Sequence, residues 1–265
     1  MVNYQIIKYR KLWLLISAGM VIISIAALLI WGLRAGLDFT GGSLLEVKFA
    51  GGQPTVTDIQ SSLNGVGISS LVIQPTGDNS IILRFQETSQ EKHLAVVEAL
   101  KKLDVAKNGL TEVRFESIGT SVGAELRSKS FWVMFLVLLV IILYISVAFS
   151  KVSKPVASWK YGLIAVIALF HDIIITAGIF AILGHYFAVE VNTPFVVALL
   201  TVLGYSVHDT IVVFDRTREN LPKSHDSFAE TVSHSLNQTF VRSVNTVITV
   251  LLSLMAVLVF GGSSI

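Results

Sequence analysis

The chain has no cysteine, only 5 prolines in 265 residues, and few charges, since Asp, Glu, Lys and Arg make up 14% of it. The missing cysteines exclude disulfides and thiolate metal sites but leave the compartment open, because many exported domains also lack them. A soluble domain is about one-quarter charged. With 53% hydrophobic residues and a mean hydropathy of +0.71, this composition excludes an ordinary soluble protein and marks an integral membrane protein. The net charge of +2 points neither to nucleic acid nor to a polybasic membrane tether. No phosphate loop is present, because Gly41-Gly42 lacks the lysine and helix start that such a loop needs. No nucleotide or other cofactor is implied, and Gly41-Gly42 is expected to turn the chain from a span into a strand.

What is present is a series of apolar runs long enough to cross a bilayer. Residues 1–11 carry Lys8, Arg10 and Lys11, which place them in the cytoplasm ahead of a first span at 12–33. That run is too long for a signal peptide and lacks a small-x-small site at its end, so an uncleaved anchor is expected. Residues 34–129 have soluble-domain composition and are expected on the extracytoplasmic side. A second span at 130–149 leads to a cytoplasmic loop at 150–158 with Lys151 and Lys154, and a third span follows at 159–183. Then come an external loop at 184–192, a fourth span at 193–214, a cytoplasmic segment at 215–240 and a fifth span at 241–262. Residues 263–265 are expected to be a truncated end.

Within 34–129 the pattern reads as a strand at 43–49, a helix at 56–63, strands at 70–74 and 80–85 about a turn at 75–79, a helix at 89–103 and a strand at 111–116. This βαββαβ order predicts an α+β ferredoxin-like domain, a fold that hosts too many functions to name one. In its second helix Leu94, Val97, Leu100 and Leu103 are expected to form the buried face.

Polar chemistry gathers inside the spans. Residues 204–220, GYSVHDTIVVFDRTREN, bring Tyr205, His208 and Asp209 together on an apolar helix that Thr193-Pro194 is expected to open, with Thr193 as N-cap, and Pro222 to end. An acid at membrane depth costs about 2.5–3.5 kcal/mol on lenient scales, which favours function over mere helix glue. The third span carries His171-Asp172 near its middle. In the fifth, Gln238, Arg242, Asn245, Thr246, Thr249 and Ser253 form one polar stripe. Arg242 is either an interfacial snorkel or the counter-charge of Asp209, since both lie toward the cytoplasmic ends of consecutive spans. Ser227 and Glu230 fit a capping box that opens a helix lying on the cytoplasmic face. The two His-Asp pairs suit a metal in ligand type, as in an intramembrane hydrolase, but no HExxH or paired catalytic-aspartate motif supports one, and no metal is expected.

Five stretches together resemble the SecD/SecF family of protein-export membrane subunits, on its SecF side: Gly36-Leu37-Asp38-Phe39-Thr40-Gly41-Gly42, residues 119–126, His171-Asp172, residues 204–220, and Asn237-Gln238-Thr239 with Arg242 and Asn245-Thr246. The family is related to the resistance-nodulation-division transporters. The resemblance implies a polytopic α-helical protein of the bacterial cytoplasmic membrane, half of such a transporter bundle, with five of the usual six spans present. It implies a non-enzymatic subunit that works with SecD and the Sec translocon channel, within membrane lipid, and uses the proton-motive force to help unfolded exported polypeptide leave on the outer face. The residue matching Asp209 is tied in the family to proton conduction, and Arg242 matches the arginine of the fifth span. His208 stands where relatives often have asparagine. On this reading Asp209 carries the proton and Arg242 opposes its charge. His208, Tyr205, Asp172 and His171 are relay or gating groups, while Gly41, Gly42, Gly119 and Gly123 are hinges. A proton-driven half-transporter of lipid or small molecules and a purely structural subunit are the other classes.

Overall fold

The computed structural model describes residues 6–77, 79–86, 89–104, 109–148 and 158–260. The basic loop expected to hold Lys151 and Lys154, turn residue 78 and the two chain ends lie outside the described residues. In chain order the elements are α1 (Arg10–Ile30), α2 (Leu37–Thr40), β1 (Gly42–Phe49), α3 (Val56–Leu63), β2 (Val72–Pro75), β3 (Ser80–Phe85), α4 (Gln90–Lys101), β4 (Leu110–Ile118), α5 (Thr120–Ala148), α6 (Ser158–Phe187), α7 (Thr193–Asn220) and α8 (Phe228–Phe260). They form two compact units. One holds residues 34–134 and 188–196, the other 1–33, 135–187 and 197–265.

The first unit is built on a four-stranded antiparallel sheet in the order β2-β3-β1-β4. Side chains alternate across a strand, so Leu45, Val47 and Phe49 of β1 share a face with Ile81, Leu83 and Phe85 of β3. Ile59 and Leu63 of α3 and Val96 and Leu100 of α4 close over that face into one core. Each helix starts on a polar cap: the Asp58 amide donates to Thr55 Oγ1 at 3.2 Å and the Lys92 amide to Ser89 Oγ at 3.3 Å. This is the expected βαββαβ layout, with one correction. The buried stripe of α4 is His93, Val96, Ala99 and Leu100, while Leu94 is 58% exposed. The periodic leucines missed this because the His93 ring acts as an apolar plate, stacked on Phe115 with centroids 3.7 Å apart, while Nε2 meets Glu112 at 3.3 Å.

Among the described residues five helices are long and apolar enough to cross a membrane: Ile7–Ile30, Thr120–Val147, Trp159–Phe187, Thr193–Asn220 and Phe228–Ala256. Two begin well ahead of their apolar runs. Helix α5 begins at Thr120, ahead of the apolar run that starts near 130. Helix α8 is one continuous element of 33 residues, roughly 50 Å long at 1.5 Å per residue, so the segment expected to lie on the membrane face is the first half of the fifth spanning helix. No glycine or proline interrupts Phe228–Phe260, which leaves nothing to break it. The expected capping box is there: the Ser227 amide donates to Glu230 Oε2 at 2.9 Å and the Glu230 amide to Ser227 Oγ at 3.4 Å.

Ile145 of α5, Tyr161, Ala165 and Leu169 of α6, and Leu203 and Val207 of α7 form one apolar cluster. Helices α1 and α6 approach more closely still. A Cβ on Gly178 would lie 2.2 Å from Ser24 Cβ, and Ser24 and Ala27 are buried. Lipid tails give no hydrophobic drive between helices, so small residues that let backbones touch supply the packing. Gly178→Val is therefore expected to lose about 1–3 kcal/mol or more, as overpacking does. A lowered thermal midpoint in detergent checks this.

Candidate functional site

Helix α7 begins where the sequence places it but is capped one residue earlier than expected. Asn192 Oδ1 accepts from the Phe195 amide at 3.2 Å, so Asn192 is the cap. The Thr193 amide donates instead to Asp38 Oδ2 at 2.8 Å. The helix ends at Asn220, ahead of Pro222, and Asn220 Nδ2 donates to Ser235 Oγ at 2.9 Å and Gln238 Oε1 at 3.0 Å on α8. These bonds fix α7 and α8 side by side at one end.

Arg242 reaches across this pair to His208, with Nη2 3.4 Å from Nε2. The expected Asp209–Arg242 ion pair is not among the salt bridges of the described residues. One residue along a helix turns about 100°, so the two neighbours cannot face the same partner. His208 takes the α8 side, leaving Asp209 half-buried beside it. An arginine only donates. In this contact Nε2 of His208 is the accepting nitrogen.

One turn before His208, Tyr205 joins Arg242, Asn245, Thr246 and Thr249 along a groove of about 510 Å³ between α7 and α8. Arg242 also borders a second hollow of about 200 Å³ with Asp215, Arg216, Glu219 and Gln238. Tyr205 is 45% exposed, and the Arg242 and Asn245 side chains are exposed too.

His171 and Asp172 sit in a separate array. Ser17 Oγ lies 2.7 Å from His171 Nε2, His171 Nδ1 lies 2.9 Å from Asp172 Oδ1, and the Ser206 hydroxyl donates to Asp172 Oδ2. A carboxylate only accepts, so Nδ1 donates to Asp172, and in the neutral ring Nε2 is then the nitrogen that accepts from Ser17. The result is a hydrogen-bonded chain through α1, α6 and α7, ending one helical turn from Asp209. Its Ser-His-Asp connectivity is that of a hydrolase triad, but Ser17 lies inside a helix whose backbone N–H groups are spent, so the amides around it are not free to serve as oxyanion donors. Ser17 and Ser206 were not singled out from the sequence. A signal existed for the first: Ser17 and Ser24 are the two serines of the first apolar run, seven residues apart and so on one face. Among the described residues no group of three or more His, Asp or Glu side chains is placed to hold a metal.

The glycines expected as hinges fall into two groups. Gly41 (φ 70°, ψ 175°) and Gly42 (φ 115°) have backbones that side chains rarely adopt. A Cβ on Gly41 would lie 2.6 Å from Thr120 Cα, one on Gly42 2.7 Å from the Phe85 carbonyl oxygen, and one on Gly123 2.8 Å from the Gly41 nitrogen. These three interlock with backbone, whereas Gly119 has nothing nearer than 3.9 Å.

The chain matches the family model for the protein export membrane protein SecD/SecF C-terminal region over residues 97–265, and that for the SecD/SecF GG motif over residues 27–52. It is 41% identical to protein translocase subunit SecF of Thermobaculum terrenum, over 98% of this chain and 84% of that one. It is 34% identical to the SecF subunit of Sebaldella termitidis, over 99% and 82% of the two. Its structure is similar to the crystal structure of SecDF, a translocon-associated membrane protein from Thermus, with a TM-score of 0.79 and 28% identity over 99% of this chain. The chain spans 34% of that SecDF chain. A SecDF structure in a super-membrane-facing form gives a TM-score of 0.65.

Proposed function

Because this chain belongs to the SecD/SecF family of protein-export membrane proteins, we propose that it couples the proton-motive force to the release and pulling of exported polypeptide on the outer face of the membrane. A SecD-type chain and the Sec channel are its partners in this reading. The observation that carries it is the concentration of ionisable and hydroxyl groups on helices that are otherwise Val, Leu and Ile. Asp209, His208 and Arg242 form one group, and the chain Ser17–His171–Asp172–Ser206 ends a turn away from it. Each charged group at that depth costs several kcal/mol unless paired or hydrated, an expense that pure scaffolding avoids with apolar or small residues.

The exposure of Tyr205, Arg242 and Asn245 supports the partner. Such a face is costly against lipid and is satisfied by another membrane chain or by water held between the two. Asp209 takes up and releases the proton, Tyr205 and the hydrogen-bonded chain deliver it, and His208 senses it through Arg242. Gly119 flexes beside the interlocked Gly41, Gly42 and Gly123. The orientation in this reading keeps residues 1–11 in the cytoplasm and 34–129 outside.

The test is export of a reporter polypeptide into vesicles that carry the Sec channel and a SecD-type partner, with and without this chain and with and without an imposed proton gradient. The expected result is acceleration by the gradient only when this chain is present. Equal acceleration without it would remove the reading.

A further inference from the structure

Residues 188–196 connect α6 to α7, yet they belong to the sheet unit. Three kinds of contact hold them there. The main chain forms a parallel bridge between Ala35 and Val191, in which the Gly36 amide donates to the Val191 carbonyl at 2.7 Å and the Val191 amide to the Arg34 carbonyl at 2.8 Å. Gly36 is buried, and a Cβ there would stand 3.2 Å from that carbonyl, so the approach is close. The second contact is ionic: Glu190 pairs with Arg84 of β3 and, at 3.4 Å, with Arg34. Burial and the neighbouring Arg34 charge hold the Arg84 guanidinium below its ordinary value. Two crowded arginines of this kind need a carboxylate between them.

The third contact is the one noted above, from Asp38. The first amides of a helix have no partner within it, and a carboxylate placed there also meets the positive end of the helix dipole. Asn192 satisfies the Phe195 amide locally, and Asp38 satisfies the Thr193 amide from 155 positions away in sequence. Asp38 lies in the short helix α2, followed directly by Gly41-Gly42 and β1.

We propose that this clasp is where movement leaves the membrane helices, with Asp38 as its positioning residue. It fastens the first turn of α7, the helix that carries Asp209, to the sheet unit. A shift of α7 is then delivered through a cap, an ion-pair group and backbone hydrogen bonds, and not through slack connecting chain. The inference rests on the proposed function for the driving event and adds the route by which that event is passed on. Because the clasp transmits, it stays closed through the cycle.

The chain has no cysteine, so a disulfide can be introduced without background. Neighbouring strands run ~4.8 Å apart, inside the ~4.4–6.8 Å Cα separation that a disulfide takes, which suits the bridge partners Ala35 and Val191. The experiment measures gradient-stimulated export and thermal midpoint in the complete complex. It compares Asp38→Ala, Asp38→Asn, the pair Ala35→Cys/Val191→Cys, and that pair combined with Asp38→Ala. Asp38→Ala is expected to lose most of the gradient-stimulated increment, and Asp38→Asn to keep part of it because the amide oxygen still accepts. The oxidised pair alone is expected to keep full stimulation and to restore it in the Asp38→Ala background until reduced.

Loss of stimulation on oxidising the pair alone would overturn the proposal, and this arm decides the question even if Asp38→Ala fails to fold. Full stimulation in Asp38→Ala, or a disulfide that restores the thermal midpoint without restoring stimulation, would overturn it too. Asp209→Asn, run alongside, separates the two ideas. If Asp209→Asn loses stimulation while Asp38→Ala keeps it, only the clasp falls. If Asp209→Asn keeps stimulation, the proposed function falls.

Discussion

Asp209→Asn is expected to lose nearly all of the gradient-dependent part of export while leaving the folded protein intact. Asparagine matches aspartate in size and keeps one accepting oxygen, so α7 packs as before, but it cannot carry a proton. The expected loss is on the order of 100-fold, the lower end of what a positioned proton-transfer group contributes. Asp209→Glu keeps the chemistry and moves the carboxyl by one methylene, so a partial loss is expected. Reporter export at fixed gradient reads both, and a matched thermal midpoint shows that neither effect is unfolding. Because Arg242 holds His208 and not Asp209, Arg242→Ala is expected to act through His208 and to leave a weaker defect than Asp209→Asn.

The second large effect is expected at Asp172. In the native chain its carboxylate accepts from His171 Nδ1 and from Ser206, so that in the neutral ring Nε2 accepts from Ser17. Asp172→Asn offers Nδ1 an amide donor in one of its two orientations and so permits the opposite tautomer, with Nε2 donating. The polarity of the chain then reverses, and a proton moving along it meets a donor where it needs an acceptor. Gradient-stimulated export is expected to fall by roughly 10- to 100-fold, less than for Asp209→Asn, because the carrier itself remains. Nitrogen chemical shifts of His171 supply a readout that packing alone does not move: native protein shows the Nδ1–H form, and Asp172→Asn shows a mixture. Export that is normal with a mixed tautomer would detach the chain from the function.

The sequence made the large features legible for physical reasons. Five apolar runs announce five spanning helices because a bilayer sets the length of each, and Leu45, Val47 and Phe49 announce a strand because one face of a sheet is buried. The family likeness also lay in contiguous motifs. What stayed hidden depends on orientation between elements. That Tyr205, His208 and Asp209 fall toward one helical side is periodic information; that His208 and not Asp209 meets α8 depends on how the helices are rotated against each other. The burial of His93 in place of Leu94 is the same difficulty on a smaller scale, sharpened by a ring that serves as apolar surface.

Contacts between residues far apart in sequence were the least legible. Ser17 and Ser206 are ordinary helix serines until α1 and α7 bring them to the His171-Asp172 pair. Asp38 reads as part of a turn motif until the start of α7 arrives beside it. The continuity of α8 was within reach: the absence of glycine and proline over Phe228–Phe260 says that nothing ends the helix at its amphipathic half.

The central claim, that proton occupancy within the membrane helices drives export, is tested most directly by recording proton flux and polypeptide export together in vesicles holding the complete complex. The account predicts that flux and gradient-stimulated export rise together in the native protein and vanish together in Asp209→Asn. Stimulated export with no accompanying flux, or unchanged flux in Asp209→Asn, would contradict it.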